Sequence, residues 1–464
     1  CITLPNIAIP AAVDSIGYRA FGNCTHLTLV NFNADSCRYM SENVFQGSAV
    51  SRVVVGNGVK TIPDNAFRGL TSLAQVVFSS TVKRIGAYAF YGCTGLRAPS
   101  LSSQLNTIQG YAFSGCNNLA FASITIPANV RRIGNYAFQN CSNLQRVVFM
   151  ARNCIEMGSA NAPVFSGCSN LVRLVTGNGV TNIPDHAFRG VSSLHSPLLV
   201  PTIQNIGDYA FYGCSSIDTI WTRGATKTIG DYAFYGCTQA YVLNLSDQIE
   251  SIGTYAFYQC SALPSMEIPN SVRFIGASAF QSCGALTSIY SKMRQIPSMS
   301  GDIFENSRRS SATLTVPCNM TSRYRANSYW NFTTIQEDNN CQTSFLISAT
   351  PNHTEWGSVM GSGIYSFGDT ATLIATPDSG YVFWKWDDGG LANPRQIDVT
   401  DSMEVVAIFG HSPVGTQVGN RALMGYAFSH KTKPYTSLMN DSDSIYCPSS
   451  LTDIDGNTYS TVRI

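Results

Sequence analysis

Apolar positions in this chain follow two interleaved periods. Within short segments they alternate with outward positions, as in Ser265-Met266-Glu267-Ile268-Pro269. A period of two that ends at Pro or Gly predicts a short strand with one buried face. The second period is about 23 residues. It carries Ile-Gly-x-Tyr-Ala-Phe-x-Gly-Cys, complete at Ile85 to Cys93 and repeated around Phe113, Phe138, Phe211, Phe234, Phe257 and Phe280. Looser copies surround Phe21, Phe45, Phe67, Phe165, Phe188 and Phe304. One unit therefore predicts a strand, a short gap, Ile-Gly opening the return path, Tyr-Ala-Phe driving an aromatic ring inward, and Gly-Cys closing the turn. A unit this short cannot bury its apolar face alone, so consecutive units must stack.

The pattern predicts a mainly β chain: a solenoid of about 13 repeats of 22–27 residues over 1–340, with the Phe21-to-Phe304 column buried. Phe-to-Phe spacing is 23 in seven of twelve intervals, and reaches 27 where Ala151 to Pro163 adds a bulge. The last unit loses Gly-Cys after Phe304, and Thr321 to Trp330 is expected to cap the array's open end. A polar stretch, Glu337 to Asn340, then leads into a small all-β or β-grasp-like domain at 341–410. Its strand-like runs are Phe345–Thr350, Gly363–Phe367, Thr370–Thr376, Tyr381–Trp386 and Gln396–Phe409. Residues 411–464 read as a linker and the truncated start of a further domain. The chain opens at Cys1 inside a repeat and closes at Ile464 inside a strand-like run, so both ends are expected to be processed boundaries.

Charge narrows the function classes. A formal net charge of +1, with 12% charged residues, implies no general attraction to nucleic acid or acidic membranes. No apolar run is long enough for a transmembrane helix. Of fifteen cysteines, nine share one repeat slot: Cys24, Cys93, Cys116, Cys141, Cys168, Cys214, Cys237, Cys260 and Cys283. Leu70 and Val191 fill that slot elsewhere, so it is apolar and its thiols are expected to be reduced and structural. Metal-ligand spacing is absent, and Cys37 and Cys154 are expected to be unpaired turn residues. Cys318 and Cys341 lie outside the column and are the disulfide candidates.

The Ile-Gly-x-Tyr-Ala-Phe-x-Gly-Cys and Val-x-Ile-Pro phrases, in one register through a dozen units, resemble BspA-like leucine-rich repeats of bacterial and some protist cell surfaces. Ser348-Ala349-Thr350-Pro351, Gly368 to Leu373 and Gly380 to Trp386 resemble the divergent internalin-type B repeat, with Glu355-Trp356-Gly357 where that family has Gly-Gly. Cys447-Pro448 and Thr452 to Tyr459 look like the start of a domain common in secreted proteins of Fibrobacter and Bacteroidetes. Together the resemblances imply a secreted or cell-surface protein of a Bacteroidetes-like bacterium, with adhesion to host proteins or other cells for some members.

No catalytic constellation emerges. The six histidines are scattered, and no nucleophile elbow, Walker loop or dinucleotide fingerprint occurs. His186 fills the slot of Tyr88 and Tyr209, which makes it a packing or surface residue. Asp453 to Asn457 lacks EF-hand spacing and reads as a β-turn. The strand face is more informative. With Val147 and Phe149 inward, Val148, Val175, Leu198 and Trp221 stack outward as an apolar stripe edged by Arg146 and Arg173, and Tyr290 continues the column. β-Propensity alone accounts for valines there, but not for an exposed Trp. In the small domain Trp386 is expected in the core, with Trp356 and Trp384 either core or a glycan platform.

These observations predict no enzyme and no cofactor. They predict a monomeric adhesin-like surface protein whose strand face binds a surface protein or glycan, and not nucleic acid. The alternative is a structural stalk, or an accessory module of a polysaccharide-utilising system, spacing a functional domain further along.

Overall fold

The structure is a computed structural model that describes residues 3–119, 123–307, 309–338, 344–412, 450–452 and 458–460. Residues 1–410 form one compact unit and 411–464 a second. In the second, Ser450–Thr452 pairs antiparallel with Thr458–Ser460; the β-turn expected at 453–457 lies outside the described residues.

The first unit begins as a β-solenoid of about 14 turns. The long strands lie where alternation places them, at Leu29–Phe32, Arg52–Val55, Arg146–Phe149, Arg173–Thr176 and Ser265–Ile268. They pair in parallel, each residue opposite its counterpart in the next coil, for example Val147 with Leu174 and Val148 with Val175. The strand face divides into four sheets. Two of the breaks fall at Pro99 and Pro197, which take the inward position of Val76 and Leu174 and have no N–H to give the ladder.

A second face was not expected from the sequence. The residue pair ending at the Ile of Ile-Gly is itself a two-residue strand, as at Arg84–Ile85 and Thr228–Ile229. These strands build parallel sheets of five and six members. The turns that follow are also hydrogen-bonded from coil to coil: Phe67 N–H donates to Ala89 O, Phe90 to Ala112 and Phe113 to Ala137, each at 2.8 Å. Backbone polar groups on every side of the coil are thus satisfied by neighbouring coils, which is what makes the stack cooperative.

The thirteen phenylalanines from Phe21 to Phe304 form one continuous stack. Ring centroids lie 5.1 to 5.9 Å apart with interplanar angles of 22° or less. Twelve of the rings are buried. Phe21 is half-exposed, contrary to expectation, because fewer coils cover the column at its N-terminal end. At the other end Trp330 and Phe332 meet Phe304 edge-on at 5.5 and 5.2 Å, held by Thr321–Ala326 and the following 3-10 turn. The 27-residue interval is taken up by a tight turn in which Ser159 and Ala162 exchange backbone hydrogen bonds.

The nine slot cysteines are free and buried, as are Cys37 and Cys154. The slot is more than apolar. The thiol of Cys93 donates to Phe67 O at 3.1 Å, Cys116 to Phe90 O at 3.2 Å and Cys168 to Phe138 O at 3.0 Å, each binding the preceding coil. Cys318 is disulfide-bonded; Cys341 lies outside the described residues.

Residues 344–412 fold into two sheets. One orders Gly363–Ser366, Ser344–Pro351, Met403–His411 and Tyr381–Trp386; the other holds Gly357–Met360, Thr370–Pro377 and Arg395–Asp398. Gly357–Met360 was not expected as a strand, and the run 396–409 is two strands separated by a loop. Trp386 is fully buried and its indole N–H donates to Ala392 O at 2.8 Å, whereas Trp384 is exposed. The domain rests on the solenoid's flank. Arg294 places its guanidinium 4.6 Å from the Phe345 ring centroid and 5.7 Å from that of Phe367, and Asn270 donates to Asp401 at 3.0 Å.

Candidate strand-face site

Alternation sends Val148 and Val175 to the outer side of their strands, where both are half-buried, beside the exposed register pair Arg146 and Arg173. Val175 bridges to Leu198 in the next coil, and Trp221 holds the same place 23 residues further on. Exposure rises along the column, to 51% at Leu198 and 46% at Trp221. The four apolar residues thus occupy successive coils, with a basic edge at one end.

Trp221 is not bare. The Arg223 guanidinium lies 3.7 Å from its ring centroid, a cation–π contact that covers one face of the indole. Tyr290 does not join the stripe. Exposed Asn244 and Glu267 stand between it and Trp221. Its hydroxyl is hydrogen-bonded to the Asp338 carboxylate, which together with burial pushes the phenol up to about 12.

A second ordered aromatic surface escaped the sequence reading, which followed only the inward Phe. The Tyr of Tyr-Ala-Phe and the residue after Phe form two parallel ladders along the turns. Tyr209, Tyr232 and Tyr255 stack at 4.7 and 4.9 Å, and Tyr212, Tyr235 and Tyr258 at 4.6 and 4.5 Å. Arg189 caps both at 5.0 and 4.1 Å, and His186 stacks on Tyr209 at 5.1 Å. Burial and the neighbouring cation hold the His186 imidazole below its ordinary value. The recurrence of Tyr-Ala-Phe-Tyr at 209, 232 and 255 was the available signal. These rings spend their faces on one another, so the ladders contribute chiefly to the stack.

Among the described residues, no three His, Cys, Asp or Glu side chains converge as metal ligands, and no helix is long and apolar enough to cross a membrane. Residues 347–412 match the divergent InlB B-repeat domain. No curated protein matches the sequence. Among solved structures, a leucine-rich repeat protein from Bacteroides ovatus is 23% identical, with 72% of this chain and 92% of that one covered and a TM-score of 0.48. A leucine rich cell surface protein from Faecalibacterium prausnitzii is 21% identical over 72% of this chain and 88% of that one, TM-score 0.32. A leucine-rich repeat protein from Eubacterium ventriosum is 18% identical over 61% of this chain and 84% of that one, TM-score 0.38. The repeats match BspA type leucine rich repeat regions in six copies over residues 1–120, 117–240 and 204–336. With one Phe column, one Cys slot and one register running through all of that span, the chain belongs to the BspA-type leucine-rich repeat family.

Proposed function

We propose that this is a non-enzymatic secreted or cell-surface protein that binds a macromolecular ligand, protein or glycan, on its solenoid strand face. Repeats of this family point to protein interaction at a cell surface, and neither matched family is catalytic. The observation that carries the proposal is the half-exposed Trp221, ordered by Arg223 at the end of the Val148, Val175, Leu198 column. Large rigid aromatics beside arginine are the usual anchors of interfaces, because they offer apolar area and freeze few torsions on binding.

The test is capture of extracellular-matrix proteins and glycans by the full chain, repeated with Trp221→Ala. The variant is expected to weaken capture by ~2 kcal/mol or more and to lower stability by only ~1 kcal/mol, the loss of the Arg223 contact. Unchanged capture with an intact fold would move the site elsewhere and favour a spacer role for the repeats.

A further inference from the structure

The net charge of +1 conceals a basic segment within the solenoid, offset mostly by acidic residues beyond it. Residues 43–184 hold eleven Lys and Arg against two acidic residues, a net charge of +9. Residues 185–464 hold sixteen against twenty-three, a net charge of −7. Both acids of the basic segment are already taken: Asp64 pairs with Arg84 at 3.0 Å and Glu156 with Arg132 at 3.5 Å.

The fold gathers five of these eleven cations on the face of two-residue strands. Thr61, Arg84, Thr107, Arg132 and Glu156 are register partners on successive coils. The preceding residues form a second column, Lys60, Lys83, Asn106 and Arg131, linked by backbone bonds from Lys83 to Lys60, Asn106 to Lys83 and Arg131 to Asn106. Lys60, Lys83 and Arg131 are exposed and form no ion pair among the described residues. Four coils thus present five cations on a rigid strip about 15 Å long, at the ~4.8 Å spacing of adjacent strands. Asp64 and Glu156 offset Arg84 and Arg132, but Lys60, Lys83 and Arg131 still raise the local potential, which a ligand bearing repeated negative charge would lower.

We propose that this strip, Lys60, Lys83, Arg84, Arg131 and Arg132, binds a linear acidic polysaccharide, sulfated or carboxylated. Its gaps are filled by Thr61, Asn106 and Thr107; the Thr107 hydroxyl donates to Asn106 Oδ1 at 2.8 Å, which leaves the Asn106 amide N–H groups and the Thr61 hydroxyl to suit sugar hydroxyls. No aromatic ring lies within the two columns to stack a base. Preference for a glycan over a nucleic acid also rests on the surface placement proposed above. The strip is separate from the strand-face stripe, so either site can fail alone.

The experiment measures binding of the full chain to heparin, polygalacturonate, uncharged dextran and duplex DNA at about 50 mM and about 200 mM NaCl. Binding to one or both acidic glycans is expected, and which one binds identifies sulfate or carboxylate as the recognised anion. Affinity is expected to drop at least tenfold at the higher salt. Lys83→Glu with Arg131→Glu is expected to weaken binding at least tenfold, the neutral pair Lys83→Gln with Arg131→Gln less so. Lys385→Glu, an exposed charge on the B-repeat domain, should leave affinity within twofold. Binding to neither acidic glycan, or a double Glu variant that binds as wild type, would overturn the proposal. Tighter binding of DNA than of both glycans would reassign the strip to nucleic acid.

Discussion

At the scale of single residues, the repeat phrase records close approach between coils. A Cβ on Gly253 would lie 2.5 Å from Asp231 N and 2.6 Å from Gly230 O, both backbone atoms of the preceding coil. Gly253→Ala is therefore expected to cost ~2–3 kcal/mol by overpacking. Gly190 differs: it has φ +75° and nothing within 4 Å, so Ala there should cost only the ~1–2 kcal/mol of a left-handed residue. Urea unfolding of both variants checks the order; a costlier Gly190 change would refute the packing explanation. The cysteines act through protonation. Burial pushes Cys93 and Cys283 up to about 12 from the ordinary 9.0. Between these values the unfolded chain releases protons that the folded chain keeps. Stability is thus fully present below pH 9 and expected to fall as pH rises from 9 towards 12, seen as a decline in urea midpoint. Below that window, a thiol probe mapped by mass spectrometry should label none of the eleven free buried cysteines before denaturation. Labelling of the column in folded protein would contradict the burial.

At the scale of elements, each coil is held by its two neighbours. Phe211 is fully buried, between Phe188 at 5.7 Å and Phe234 at 5.1 Å. Phe211→Ala removes both contacts and leaves a cavity, with an expected cost of ~3–5 kcal/mol. Hydrogen exchange should localise the loss to the coils around 188–234 and spare the N-terminal coils, because repeat stability is transmitted between nearest neighbours. A uniform loss along the array would instead mean that it unfolds as one block. The long strands were legible in the alternation because their inner side chains are apolar and their outer ones mostly are not. The two-residue strands were not. Arg84-Ile85 and Thr228-Ile229 are too short to show a period, and their strand character comes from bonds to equally short partners one coil away.

At the scale of the molecule, the B-repeat domain is docked on the solenoid through Arg294. Its guanidinium lies against Phe345 and Phe367, and its Nη1 is buried without a hydrogen-bond partner, so the contact rests on the rings. Phe367 packs against both cores. Arg294→Ala is expected to remove ~1–2 kcal/mol of coupling. Amide exchange in Ser344–Pro351 should then accelerate about 5- to 30-fold with the Phe column unaffected. Unchanged exchange in that strand would show that the domain does not depend on the joint. Charge segregation belongs to this scale too: overall composition is near neutral, whereas residues 43–184 carry +9 and stacking brings five of those cations onto one face.

What the sequence determined by itself was the solenoid, its inward Phe and Cys columns and the outward direction of Val148, Val175, Leu198 and Trp221. A repeated unit with alternating polarity has one efficient way to bury its apolar side, so period and direction follow without coordinates. Only the tertiary structure decided what those outward residues meet. Arg223 is two residues from Trp221 in sequence, yet its lying over the ring is a matter of rotamer and neighbouring coils. Asp338 stands 48 residues from Tyr290, and no local pattern announces the hydrogen bond between them. The Lys60, Lys83 and Arg131 strip likewise exists only because coils of slightly unequal length return to the same register. Which side chains point inward is a property of the unit and is written in each repeat; side-chain partnership is a property of the stack and arises from residues that only stacking brings together.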